Sequence, residues 1–260
     1  TGLSGEIALA PGAEELIFSM GVIGDGQTSV SELILTLEDH STPTGLNNDD
    51  IENLNVYLST DAKLSQDDDV VLVTQSSFEI GMATTLSFSA QVIPAETLNY
   101  FLVTAKISAA PTDGHSFRVG FAAGGLGTSR GGIGTPVVAS DENRVRVEVV
   151  ATRLIFSQMP ADGAVVDSGD EIVSGKAFAS QPIVESVDVL GNVDLDFTEK
   201  LTISLIGGDG VLGGVVDKVV FNGQADYCGN GLFYAAALDG EDFILEVDDE
   251  AGGTDLEAVT

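Results

Sequence analysis

Three groups of aspartates offer the clearest openings for chemistry. Asp49 and Asp50 end the run Thr44 to Asp50 (TGLNNDD), Asp67, Asp68 and Asp69 stand in a row, and Asp188, Asp194 and Asp196 surround Gly191-Asn192. Carboxylate and carbonyl oxygens at this density are the hard ligands that Ca²⁺ takes. None of the groups has the spacing of an EF-hand loop. Aspartate beside glycine and asparagine is also what a tight turn uses. The acids are therefore read both as Ca²⁺ ligands and as turn-makers, and around Gly191 the turn reading is preferred. Ca²⁺ is the one cofactor that the sequence suggests.

The residues that catalysis would need are scarce or badly placed. His40 and His115 sit in turn-like settings beside Asp39 and Asp113, with no serine in a nucleophile-elbow context. The lone cysteine, Cys228, excludes an internal disulfide, and its strand-like setting predicts a small buried hydrophobe. An intermolecular disulfide through it is a minor alternative. No His or Cys spacing matches a metal site. Carboxylates are too numerous for counting to decide on a glycosidase pair. With no Trp and only 4 Tyr, however, the chain lacks the aromatic platforms on which sugar clefts lean. The glycine-rich run Gly120 to Gly134 (GFAAGGLGTSRGGIG) predicts a long flexible loop or a close-contact surface. A phosphate-cradling loop would lead into a helix, whereas the following Thr135 to Val138 is strand-like. The chain is expected not to be an enzyme.

Charge limits the partners. The 260 residues carry 41 acids and 10 bases, a formal net charge of −31. Nucleic acid is a poor partner for such a surface, and so is an anionic membrane. A mean hydropathy of +0.24 shows that this is no disordered acidic tail. No window is long and apolar enough for a membrane helix, so membrane insertion is not expected. The chain opens on Thr1 without a basic-then-apolar leader, which leads to the expectation of a processed product or an excerpt of a longer chain.

The elements that must position these residues are strands. Period-2 alternation recurs at Glu32 to Glu38, Ile51 to Ser59, Thr84 to Val92, Asn99 to Ile107 and Arg144 to Val150, separated by turns rich in Gly, Asn, Asp and Pro. Leu16 to Met20, Val70 to Thr74 and Ser116 to Phe121 add shorter runs. Ile183 to Leu205 reads as two such strands joined by a Gly191-Asn192 hairpin turn. The pattern is all-β: two tandem antiparallel β-sandwich domains, jelly-roll-like over residues 14–150 and Ig-like over residues 151–260. Residues 1–13 form an extension or edge strand, and Glu6 to Leu9 is a candidate to add to a neighbouring subunit. Ala251 to Thr260 reads as a last strand leading onward.

Two resemblances accompany this reading. The run DDIENLNVY (Asp49 to Tyr57), with LILTLE before it and NYFLVTAKIS after it, resembles the non-catalytic N-terminal β-sandwich of some bacterial sialidases and related secreted proteins. That likeness covers Leu16 to Ile107 and implies a jelly-roll-like accessory domain without active-site residues. Residues 151–250 resemble the Ig-like repeats of large bacterial surface and secreted proteins. The matching positions are Ala151, Thr152, Leu154 and Phe156; Ala177, Phe178, Gln181 and Pro182; Asp188, Gly191, Asn192, Asp196 and Phe197; Asn222, Gly223 and Ala225; and Phe243 and Leu245. Tyr227-Cys228 departs from the family, which favours Phe and a small residue there, and so does the abundance of acids. The resemblance implies a spacer, stalk or shell element at the cell surface.

Together these features lead to the expectation of a non-catalytic extracellular structural protein. It would be a self-assembling subunit of a surface layer (S-layer), sheath or filament, joined through edge strands with divalent cations bridging acidic faces. The alternative is an adhesin or carbohydrate-binding accessory module of a larger secreted protein, with surface glycans as partners.

Overall fold

The computed structural model describes residues 7–41, 45–134, 144–161, 172–249, 256 and 258–260. The chain is all-β, with antiparallel sheets packed against each other; the helical exception among the described residues is one 3-10 turn, Asn48–Asp50. Its contacts separate two units, Thr1–Glu148 and Val149–Thr260. The strand-like Thr135 to Val138 stretch lies outside the described residues, as do Glu6, Thr44 and most of Ala251 to Thr260.

The first unit holds β1 (Ile7–Leu9), β2 (Glu14–Ile23), β3 (Ser29–Asp39), β4 (Ile51–Ser59), β5 (Val70–Gln75), β6 (Ala83–Val92), β7 (Leu98–Ile107), β8 (Ser116–Thr128), β9 (Gly131–Ile133) and β10 (Arg144–Val147). Among the described residues one sheet runs β1-β10-β8-β3-β6, with β9 also on β8, and the other runs β2-β7-β4-β5. Alternation explains why they face each other. Leu33, Leu35 and Leu37 of β3 meet Leu54 and Val56 of β4 and Phe101, Val103 and Ala105 of β7 in one buried cluster. Each such side chain contributes about 1.5–3 kcal/mol by leaving water. Ile7–Leu9 is an edge strand of its own unit, parallel to β10 with Leu9 opposite Val147 and buried.

The glycine-rich run is not a loop. It forms most of β8 and all of β9, and its glycines permit close approach. Register slips so that Leu33 pairs with Leu126 but Leu35 with Phe121, leaving residues 122–125 as a bulge opposite Ile34. Gly124 supplies the positive φ of 71° that the bulge requires. A Cβ at Gly125 would come within 2.9 Å of the Ile34 carbonyl oxygen.

The second unit holds β11 (Arg153–Gln158), β12 (Ile183–Val187), β13 (Lys200–Gly207), β14 (Val211–Gly213), β15 (Asp217–Val219), β16 (Gln224–Asp226), β17 (Phe233–Ala235) and β18 (Ile244–Asp249). They pair as β11-β12-β16, β15-β13-β18 and β14-β17 around a core that includes Leu154, Val184, Leu201, Tyr227 and Val247.

The Ile183 to Leu205 stretch departs from the hairpin that alternation predicts. β12 and β13 belong to different sheets. The Gly191-Asn192 turn does form, but it closes only the short loop 188–192 and a single bridge, Val187 to Val193, before the chain crosses over. Local alternation says that each strand has a wet face and a buried face; it does not say which partner lies beside it.

Several residues behind the Ig-like resemblance have definite structural work. The buried Gln181 amide donates to the Phe178 carbonyl (2.8 Å) and accepts from the Leu232 N–H (2.9 Å), so it splices the 177–182 segment to the start of β17. Asn222 and Gly223, with φ of 50° and 70°, make a two-residue turn in which Phe221 and Gln224 exchange backbone hydrogen bonds. Cys228 is not buried as expected. It is exposed in the turn after β16, its N–H donating to Asp226 Oδ1.

A Cβ at Gly223 would sit 2.4 Å from the Asp194 carbonyl oxygen, whereas one at Gly191 would meet nothing within 4 Å. Both glycines have positive φ, so alanine at either costs about 1–2 kcal/mol in backbone conformation. Gly223→Ala is therefore expected to lower the urea midpoint of the second unit clearly more than Gly191→Ala. Equal losses would contradict the packing role of Gly223.

Candidate functional site

The structure scatters the three aspartate groups, and in each of them some oxygens already accept hydrogen bonds. Asp50 ends the 3-10 turn and is 2% exposed. Its Oδ1 accepts from the Thr112 N–H (2.8 Å); its Oδ2 accepts from the Asn47 N–H (2.9 Å) and faces His115 Nδ1 at 2.7 Å. Asp49, the neighbouring residue on that turn, is exposed. Among Asp67, Asp68 and Asp69, the last accepts from the Ser65 N–H (2.7 Å) and Asp68 from the Ser65 hydroxyl (3.3 Å), while Asp67 is exposed. This is a self-capped turn ahead of β5.

Around Gly191 the buried Asp188 accepts from the N–H groups of Leu190 and Asn192 through Oδ1, both at 2.8 Å, and from the Asn192 side chain through Oδ2. Buried Asp194 accepts from the Phe197 N–H (2.9 Å) and the Ala151 N–H (2.8 Å), one on each oxygen. An oxygen of exposed Asp196 lies within 4.8 Å of an oxygen of Asp194. Thus Asp194 and Asp196 come together and Asp188 serves a separate turn. At Asp50 and Asp188 both carboxylate oxygens already accept hydrogen bonds.

Two polar clusters carry no signal in any short motif. The first is the Asp50–His115 pair. Both side chains are almost fully buried, and they join the 3-10 turn to the loop before β8. His115 thus pairs with Asp50, distant in sequence, and the nearby hydroxyl of Ser41 is spent on the Ser116 backbone (Ser116 N–H to Oγ, 2.9 Å). With His115 only 4% exposed, a substrate in bulk water has no approach to the ring. The pair is a clasp.

The second cluster centres on Glu14 at the start of β2. Its Oε1 accepts from Asn55 Nδ2 (2.8 Å), the Tyr57 hydroxyl (2.8 Å) and the Thr104 hydroxyl (2.6 Å). Gln66 reaches Oε2 from the 60–69 loop at 3.4 Å. Asn55, Tyr57 and Thr104 alternate with the core-facing residues of β4 and β7, so they lie on the outer face of that sheet, yet all three are buried. Burial raises the Glu14 carboxyl, but the Thr104, Tyr57 and Asn55 donors and the Lys106 charge outweigh it and hold it below its usual value. Burial, joined by the same Glu14 contact, pushes the Tyr57 phenol up to about 12. Outward polar residues at alternate positions of β4 are the one hint of this network in the sequence; what they converge on is set by strand order.

The second unit has a groove of about 1160 Å³, lined by apolar and polar residues alike, beside β11 and the start of β18. Tyr234 and Phe243 stack in its wall with ring centroids 4.2 Å apart. Glu241 holds the adjoining loop by accepting from the Asp209, Ala237 and Leu238 N–H groups and the Tyr234 hydroxyl. Burial alone would raise its carboxyl, but these donors bring it to about 2.

Comparison of the sequence with known protein-family models gives no match, and comparison with curated protein sequences gives none either.

Two tests follow from the clusters. Asp50→Ala leaves His115 and the Thr112 N–H buried without their acceptor, and is expected to destabilise the first unit by about 3–5 kcal/mol in urea unfolding; a loss under about 1 kcal/mol would show that the clasp is not holding the loops. The folded carboxyl of Glu14 lies below the 4.5 of an unperturbed glutamate. Its contribution to stability is therefore present above that pH and lost as pH falls through the folded value. Glu14→Gln should flatten the pH dependence of the urea midpoint below pH 4.5 relative to the parent protein, and parallel curves would refute the assignment.

Proposed function

We propose that the chain is a non-catalytic structural subunit that assembles with copies of itself at the cell surface or outside the cell, in a surface layer, sheath or filament. The observation that carries this reading is the β5 edge. β5 ends the β2-β7-β4-β5 order, and among the described residues no strand pairs with its other edge. The extra residue Leu72 in its pairing with β4 lets both Leu72 and Val73 pack on the core, and Val70 and Val71 are left 60% and 52% exposed. Soluble proteins usually guard such an edge with lysine or proline; β5 (VVLVTQ) has neither. Asp67, Asp68 and Asp69 immediately precede it. Their charge keeps copies apart at low salt, and divalent cations would relieve it, so that assembly depends on ions.

Sedimentation velocity and negative-stain electron microscopy of the purified chain, with and without Ca²⁺, test this. Concentration-dependent polymers that are promoted by Ca²⁺ and suppressed by Val71→Lys are the expected result. A strictly monomeric protein at high concentration under both conditions would overturn the reading.

A further inference from the structure

We propose that two copies of the chain pair through the outer edge of β6, antiparallel and about a twofold axis at Thr85, so that the sheet ending in β6 runs on into its mate. Such pairing rests on the self-assembly proposed from β5 and names its first step, a closed dimer from which larger assemblies are built.

Hydrogen-bond direction defines the edge. β6 ends the β1-β10-β8-β3-β6 order. In β3 the Leu37 carbonyl accepts from the Gly81 N–H (2.7 Å), toward β6; just past β3 the His40 N–H turns the other way, to the Ser116 carbonyl of β8 (2.8 Å). Alternate residues of a strand direct their N–H and C=O groups to opposite edges. Leu35 and Leu33 therefore face β6, where their partners are Thr84 and Leu86. Ala83, Thr85 and Ser87 then direct their backbone groups away from β3, and no described residue bonds to them there. Beyond Ser87 the strand bulges, and its pairing with β3 resumes at Gln91 opposite Val30, so the open ladder is residues 83–87.

The side chains fit a second copy. Thr84 and Leu86 are buried, whereas Ala83, Thr85 and Ser87 are small and exposed, and the edge has neither the lysine nor the proline that usually guards one. No residue from Ile80 to Ala95 is charged, in a chain of net charge −31, so the strand itself brings no carboxylates together. A twofold axis at Thr85 sets Thr85 opposite its own mate and Ala83 opposite Ser87 of the other copy. The three outward-directed residues of each strand then meet the three of the other, and each open donor finds an acceptor. A slip of one residue would oppose them to groups already bonded to β3. β5 touches β6 from the facing sheet, and an axis perpendicular to the sheets keeps both facing sheets on one side. The same approach therefore brings the two β5 edges together, and an isologous contact of this kind closes on itself.

The test uses the full chain with Cys228→Ser, in Ca²⁺ buffer, and dibromobimane to bridge neighbouring thiols. Thr85→Cys should cross-link to a dimer. Ala83→Cys and Ser87→Cys should each fail alone and succeed when mixed. In sedimentation, Thr85→Lys, which sets like charges directly opposite, should weaken dimerisation at least about tenfold, and Thr85→Val should leave it intact. Ala83→Cys cross-linking alone as readily as Thr85→Cys would overturn the proposal. So would assemblies that Thr85→Lys leaves unchanged, although self-assembly through β5 would then stand. A protein that stays monomeric throughout would overturn both.

Discussion

Most carboxylates in this protein have no cation to pair with, and the fold depends on how they are satisfied instead. With 41 acids and 10 bases, ion pairing can neutralise only a minority. Backbone N–H groups take the place of the missing cations. Asp39 accepts from the amides of Ser41 and Leu46, Asp50 from Asn47 and Thr112, Asp188 from Leu190 and Asn192, Asp194 from Ala151 and Phe197, and Glu241 from Asp209, Ala237 and Leu238. Hydrogen bonds to an ionised acceptor are stronger than neutral ones. Each fixes a loop that the sheets alone would leave with unpaired donors. Salt bridges such as Lys106–Glu52 (2.8 Å) and Arg130–Asp25 (3.1 Å) lie in solvent and add little.

The same constraint links charge to edges. Sheets that end in open strands invite pairing with other chains. A strongly acidic skin opposes that pairing between identical copies while favouring basic partners and cations. β5 beside Asp67 to Asp69 is such an arrangement: a valine-rich strand at the end of its sheet order among the described residues, next to carboxylates.

Much of the architecture was legible because alternation is a local property. Leu33, Leu35 and Leu37, or Leu54 and Val56, declare their buried faces within a few residues. The candidate sites were legible only as residue types. Asp50 is read as a Ca²⁺ ligand from its neighbours in the chain, yet its partners are Thr112 and His115, more than sixty residues away. Glu14 carries no motif, because Asn55, Tyr57 and Thr104 reach it from strands distant in the chain.

By itself, then, the sequence determined the all-β class, most strands of the first unit with their buried faces, the turn at Gly191-Asn192, and the acidic surface. Periodicity, φ preference and charge are written residue by residue. Tertiary structure alone decided that β12 and β13 part into different sheets, that the glycines after Phe121 form a bulged strand, that Cys228 faces solvent, and which donors each aspartate meets. Those outcomes follow from which strands become neighbours, and strand order is settled by packing over the whole core.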